Sequence, residues 1–129
     1  MRMTTFLKRV LLLDAASCLG MGLGLMAGAG ALAGPLGLPT TLLSGAAISL
    51  IPIGLFMAFV ATRAAPPALL VWLIILGNAG WVVQSLSLIA VSPSISALGT
   101  AFVLAQAAFV TVVMSLEYAG LRRAVAATV

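Results

Sequence analysis

The chain is 129 residues long, with 64% hydrophobic residues, only 6% charged residues and a formal net charge of +4. A soluble domain carries about a quarter charged residues, so this composition excludes an ordinary soluble fold. The positive charge does not indicate nucleic-acid binding, because the basic residues flank long apolar stretches, as membrane-topology charges do.

The single cysteine, Cys18, and the lack of histidine limit the chemistry open to the chain. One cysteine can form neither an internal disulfide nor a cysteine metal cluster. Without imidazole, the usual haem, zinc and iron sites are excluded. We therefore predict no metal site and no cofactor.

Four apolar stretches are long enough to cross a bilayer, which needs about 20 residues per helix. Short loops join them, and little chain is left for a soluble domain. We predict an all-α membrane four-helix bundle, a single transmembrane domain over residues 1–129. The predicted spans are 11–33, 41–62, 68–91 and 97–119.

The basic residues all fall on one side of this bundle, and loops 34–40 and 92–96 carry no charge. Basic residues are enriched in cytoplasmic segments, so we predict that both termini are cytoplasmic. The residues are Arg2, Lys8 and Arg9 before span 1, Arg63 after span 2, and Arg122 and Arg123 after span 4.

Span 1 also has features of a cleaved signal peptide, namely a basic start and an Ala31-Leu32-Ala33 ending. Its apolar run is longer than that of an ordinary signal peptide and contains Asp14. We therefore expect span 1 to be kept as a transmembrane helix.

Small residues recur along span 1 at Gly20, Gly24 and Gly28. This GxxxG spacing lets a second helix approach closely. The partner is either span 2 of the same chain or span 1 of a second copy. Membrane lipids surround the bundle, and a homo-oligomer or a larger membrane complex is expected.

Asp14 lies about one and a half helical turns beyond Arg9, near the cytoplasmic edge of span 1. Acids inside membranes are costly unless satisfied, and they are functional candidates for that reason. A structural role would instead give Asp14 a partner. The candidates are Lys8, Arg9, Arg63, Arg122 or an amide hydrogen bond from Asn78.

Polar residues also mark the later spans. In span 2, Pro52 is expected to kink the helix. Span 3 carries Asn78 on one face and Gln84 on another, which predicts a helix with two neighbours. Span 4 aligns Gln106 near mid-bilayer with Glu117 near the cytoplasmic edge, on one face.

The two halves of the chain also resemble each other, at an offset of about 60 to 64 residues. Either two duplicated hairpins are related by an axis along the membrane normal, or two apolar hairpins match by chance. The matched positions are Asp14 with Asn78, Leu36-Gly37 with Leu98-Gly99, and Arg63 with Arg122-Arg123.

Asn78, the run 84–93 and Leu98-Gly99 resemble the bacterial SPW-repeat membrane proteins. The chain departs from that pattern at Ser94, where tryptophan is expected, and at Gly34-Pro35, which replaces Ser-Pro. The whole chain is similar to small four-span bacterial membrane proteins of unknown function. This resemblance implies a multi-pass protein of the bacterial inner membrane and no particular activity.

The small-residue stripes favour a non-enzymatic accessory, assembly or helix-packing subunit. The alternative is a small proton-coupled or small-solute transporter that uses Asp14. Four short spans with an acid in the first resemble the small multidrug exporters, although those use a mid-membrane Glu among several aromatic residues. An enzyme is not expected, because Asp14 one turn from Cys18 disfavours the nucleophilic thiolate.

Overall fold

A computed structural model describes residues 1–128 of the chain. It contains four helices: α1 (Thr5–Leu36), α2 (Thr40–Ala61), α3 (Ala68–Val91) and α4 (Ala97–Thr128). Each helix is long and apolar enough to cross a membrane. The predicted all-α membrane four-helix bundle is confirmed.

Helix α3 has the predicted bounds, but α1 begins at Thr5 rather than residue 11, and α4 continues to Thr128 rather than ending at residue 119. Thr4 caps α1, because its Oγ1 accepts a hydrogen bond from the Leu7 backbone N–H at 3.1 Å. Leu7 then packs in the same core cluster as Leu121 of α4. At 32 residues each, α1 and α4 are therefore longer than the roughly 20 residues that a bilayer requires.

The helices form an open arrangement in which α1 and α4 each pack against two others. Helix α1 packs against α2 and α4, α3 packs against α4, and α2 and α3 barely touch. One end of the bundle, called the terminal end, carries both termini and the α2–α3 connection. The opposite end, called the loop end, carries the other two connections. The weak α2–α3 contact leaves a lateral opening in the bundle.

Two glycines, Gly22 of α1 and Gly54 of α2, allow α1 and α2 to approach closely. A Cβ at Gly22 would lie 3.1 Å from the Ile51 Cγ1 atom, and one at Gly54 would lie 2.8 Å from the Leu19 Cγ atom. Larger side chains at either position would push the helices apart.

The predicted packing stripe of Gly20, Gly24 and Gly28 does not lie on the face of α1 that carries Gly22 and contacts α2. Gly20 and Gly24 are exposed, and a Cβ at either would meet no atom within 4 Å. A Cβ at Gly28 would meet only Leu32 of its own helix. The interpretation that these three glycines pack against span 2 of the same chain is therefore wrong. The GxxxG spacing shows that small residues share one face of α1, but it does not determine which face of α1 turns toward α2.

The loop end is held by contacts between the two hairpins. Gly37 caps α1 with a φ of 68°, and a side chain at Gly99 would collide with the Leu36 carbonyl oxygen. Ser96 donates its backbone N–H to that same carbonyl at 3.1 Å. Leu36-Gly37 therefore ends α1, whereas Gly99 lies within α4, so this pair of matched positions is not structurally equivalent.

Candidate functional site

Three buried polar side chains from three helices meet inside the bundle: Asp14 of α1, Asn78 of α3 and Glu117 of α4. Asn78 Nδ2 donates to Asp14 Oδ2 at 2.8 Å and to Glu117 Oε1 at 2.8 Å. All three side chains are buried, and Asp14 and Glu117 are only 1% and 0% exposed. We call these three residues the acid–amide cluster.

A primary amide nitrogen has two hydrogens, so Asn78 serves each carboxyl group with one of them. Because both oxygens lie 2.8 Å from one nitrogen, they are at most about 5.6 Å apart. Two negative charges at that separation repel by about 3 kcal/mol at an effective dielectric constant of about 20. The cluster is therefore more stable when at least one carboxyl group holds a proton.

No basic side chain neutralises this cluster. Within residues 1–128, neither carboxyl group forms an ion pair with Lys or Arg, so the basic partners considered for Asp14 are wrong and the Asn78 amide is its partner. Three arginines lie over aromatic rings at the terminal end instead, where cation–π attraction holds them. They are Arg63 over Phe59 at 4.7 Å, Arg122 over Tyr118 at 5.7 Å and Arg123 over Phe6 at 5.5 Å.

One carboxyl oxygen in the cluster is unsatisfied. In the part of the chain that the structure describes, Glu117 Oε2 is the one fully buried side-chain nitrogen or oxygen without a hydrogen-bond partner. Leaving such an atom unpaired typically costs about 1–3 kcal/mol. A proton shared with the Asp14 carboxyl group would remove this cost, because a protonated carboxyl group donates a hydrogen bond.

The acid–amide cluster lies close to the basic ends of its helices, as the sequence predicts for Asp14 and Glu117. Asp14 lies five residues from Arg9, and Glu117 lies five residues from Arg122. At 1.5 Å per residue, the cluster is roughly 7.5 Å inward from the basic residues. At this depth helix packing encloses Asp14, and the Asn78 amide is its partner.

A second polar network joins α3 and α4 nearer the loop end. Trp81 Nε1 donates to Gln106 Oε1 at 2.9 Å, and Gln106 Nε2 donates to Ser85 Oγ at 2.8 Å. Ser85 Oγ in turn donates to the Trp81 carbonyl at 2.7 Å. The face of α3 that carries Asn78 therefore points into the bundle along its length, and Gln106 is satisfied by structural hydrogen bonds.

The other polar face of α3 borders the opening between α2 and α3. Gly80, Gln84 and Ser87 are exposed, and Gln84 makes no hydrogen bond to any residue in 1–128. Helix α3 packs closely against α4 and only weakly against α2, so its second polar face borders an opening rather than a closely packed helix. An unpaired amide in hydrocarbon is costly.

Two cavities lie between α2 and α3, where these helices fail to close. The acid-side cavity, of about 330 Å³, is lined by Cys18, Met57 and Asn78 among mostly apolar residues. The loop-side cavity, of about 270 Å³, is lined by Gln84 and Gln106 and by apolar side chains. Trp81 lines both and separates them.

Cys18 connects the acid-side cavity to the cluster. Its Sγ–H donates to Asp14 Oδ1 at 3.7 Å and approaches Met57 Sδ at 3.9 Å. The shared face of Asp14 and Cys18 that was expected from their spacing is therefore observed. Over residues 1–128, no three His, Cys, Asp or Glu side chains are placed to hold a metal ion.

The meeting of Glu117 with Asp14 was not predicted, although both residues were candidates. The available signal was the match of Asp14 to Asn78 in the other half, together with the inward face shared by Gln106 and Glu117. Neither pattern predicts that residues of α1 and α4 meet, because that contact depends on which helices are neighbours in the bundle.

Comparison of the chain with protein-family models, curated proteins and solved structures finds no match. The resemblances to SPW-repeat proteins and to small four-span bacterial proteins therefore stay predictions.

Proposed function

We propose that this integral membrane protein is a small, non-enzymatic transporter that couples movement of a solute to a proton held between Asp14 and Glu117. The observation that carries the proposal is that two buried carboxyl groups share one amide donor, with no basic partner among the described residues. The sequence alone favours an accessory subunit over a transporter, because it suggests a single acid close to basic side chains. The paired acids of the cluster reverse that preference.

The cluster is suited to gain and lose a proton. With one proton, the repulsion between the carboxylates is removed, and the Asn78 hydrogen bonds can persist because carboxyl oxygens accept in either state. Without it, the repulsion favours either re-protonation or entry of a cation. The acid-side cavity reaches Asn78 and gives a solute access to this equilibrium.

The proposed location is the bacterial inner membrane, with both termini in the cytoplasm. Support comes from the six basic residues at the terminal end and the uncharged loop end. In this orientation the acid–amide cluster lies nearer the cytoplasmic side.

A second candidate function is an accessory or helix-packing subunit, in a homo-oligomer or a larger membrane complex. The observation that favours it is the exposure of Gly20 and Gly24 on α1, where a Cβ would meet no atom of this chain within 4 Å. Cysteines placed at Gly24 in a Cys18→Ser background should form a disulfide-linked dimer in native membranes if α1 packs against α1 of a second copy.

Proteoliposomes with a trapped pH indicator test the transport proposal. Under an imposed pH gradient, cationic, anionic and neutral solutes are added in turn, and at least one should drive a proton flux. Asp14→Asn and Glu117→Gln should each abolish it while the protein stays folded. Ser115→Ala, an exposed change two residues from Glu117, should leave it intact. A folded wild-type protein that gives no solute-driven proton flux would contradict the proposal.

A further inference from the structure

The acid-side cavity has an apolar body and a polar inner wall. Aromatic side chains of Phe56 and Trp81 line it together with aliphatic residues, and Asn78 and Cys18 line it beside the acids. Its volume of about 330 Å³ is near the small end of the ligand-pocket range, roughly 300–1,000 Å³. A small organic molecule can therefore be accommodated.

One hydrogen-bonding atom of the inner wall is free to bind a ligand. Both hydrogens of Asn78 Nδ2 are used by Asp14 and Glu117, and an amide nitrogen has no further hydrogen to donate. The carbonyl Oδ1 then has no donor within residues 1–128. Among the described residues, Glu117 Oε2 is the one fully buried side-chain nitrogen or oxygen without a partner. Because Asn78 Oδ1 also lacks a partner, it must keep some accessible surface. Asn78 Oδ1 thus offers the cavity an acceptor.

The surroundings of the cavity favour positive charge. The titratable groups that face the cluster are Asp14 and Cys18 from α1 and Glu117 from α4, and α2 carries no titratable residue. The arginines over aromatic rings lie at the terminal end. A ligand at Asn78 Oδ1 therefore meets an acceptor backed by two acids, whereas an anion would meet repulsion.

We propose that the acid-side cavity binds an organic ammonium ion with an apolar body. An ammonium N–H donates to Asn78 Oδ1, and the apolar body packs against the aromatic and aliphatic walls. As the ion binds, the O–H bond of the protonated carboxyl group breaks, its proton passes to bulk water, and the ammonium charge offsets the new carboxylate. This inference rests on the proposed function, because it names the solute that competes with the shared proton.

Three probes with a common aromatic body distinguish the contributions of the ligand's charge and of its N–H donor. They are 2-phenylethylammonium, benzyltrimethylammonium, which has charge but no N–H, and 2-phenylethanol, which is neutral. Each is titrated into the full-length protein in detergent, in weak buffer at neutral pH, while heat and proton release are recorded. The primary ammonium should bind and release protons. The quaternary ion should bind about tenfold or more weakly, since a charged hydrogen bond contributes about 1.5–3 kcal/mol. The alcohol should release no protons.

A matched pair of glycine variants tests the position of the site. Gly77 lines the acid-side cavity, Gly80 does not, and both are exposed with no atom within 4 Å of an added Cβ. Gly77→Leu should fill the cavity and weaken ammonium binding about tenfold or more, as expected when an apolar contact surface is lost. Gly80→Leu should bind as the wild type does. Neither variant touches the acid–amide cluster.

The outcomes distinguish this inference from the proposed function. Ammonium binding without proton release, equal affinity for the quaternary ion, or equal effects of Gly77→Leu and Gly80→Leu would each overturn the ammonium site. Proton flux in proteoliposomes with a neutral or anionic solute, and none with 2-phenylethylammonium, would keep the transporter and reject the ammonium as its solute.

Discussion

Asn78 connects more of this protein than any other single side chain. Its amide nitrogen binds carboxyl groups from α1 and α4, and its own helix is α3, so one residue links three helices. Interhelical hydrogen bonds of this kind hold membrane bundles together, because lipid supplies no hydrophobic drive for helix association. The cluster therefore contributes to folding as well as to the proposed proton binding, and substitutions must separate the two roles.

Two substitutions at Asp14 make this separation. Asp14→Asn keeps the size and a carbonyl acceptor for Asn78 and removes a charge, so the free energy of unfolding should stay within about 1 kcal/mol of the wild-type value. Asp14→Leu leaves one Asn78 N–H without an acceptor and should destabilise the protein by about 1–3 kcal/mol. Unfolding in mild detergent, followed by circular dichroism, measures both. If the Asn variant unfolds as easily as the Leu variant, the described hydrogen bond does not support the fold.

At the scale of the helices, glycines decide which faces meet. Gly22 and Gly54 lie in the α1–α2 contact, whereas Gly20 and Gly24 face outward with open space beyond them. Gly20 and Gly24 have the four-residue spacing usually associated with helix packing, whereas Gly22 and Gly54 lie on separate helices. Helix α1 therefore uses one small face within the chain, and its second small face is exposed.

The same substitution at two glycines should have different effects. Gly54→Leu would press on the Leu19 side chain and the Ala15 carbonyl, and should cost about 1–3 kcal/mol of stability as overpacking does. Gly24→Leu should leave the melting temperature of the monomer unchanged, since nothing lies within 4 Å. Thermal unfolding measures the first effect, and size-exclusion chromatography shows whether Gly24→Leu removes an oligomer. Equal loss of monomer stability in both variants would contradict the described rotation of α1.

At the scale of the whole molecule, the bundle is open on one side and charged at one end. The gap between α2 and α3 places two cavities along the side that faces lipid, and the basic residues lie at the terminal end. A solute that reaches the acid-side cavity from the side would therefore meet apolar walls before it meets the acids.

Cysteine labelling tests the orientation of the bundle. In a Cys18→Ser background, the exposed loop-end positions Thr40→Cys and Ser94→Cys should react with an impermeant thiol reagent applied to intact cells. The exposed terminal-end position Ala65→Cys should react only after the membrane is opened, which also provides the control for reagent access. Labelling of Ala65→Cys in intact cells, with protection of Ser94→Cys, would reverse the topology.

The spans and the charge asymmetry could be predicted from the sequence because both depend on composition along the chain. A bilayer imposes a minimum length on each apolar run, and α3 matches its predicted span at both ends. The extra turns of α1 and α4 could not be predicted in this way, since Leu7 and Leu121 hold them by contact between helices.

The candidate site could likewise be predicted only in part. Asp14, Asn78 and Glu117 could be selected from the sequence because polar residues are costly in apolar spans wherever the helices lie. Their meeting could not, because residues distant in the chain come together only once helix neighbours and rotations are set. That same rotation turns Gly24 outward and Gly54 inward, and it depends on how side chains of separate helices fit together in three dimensions.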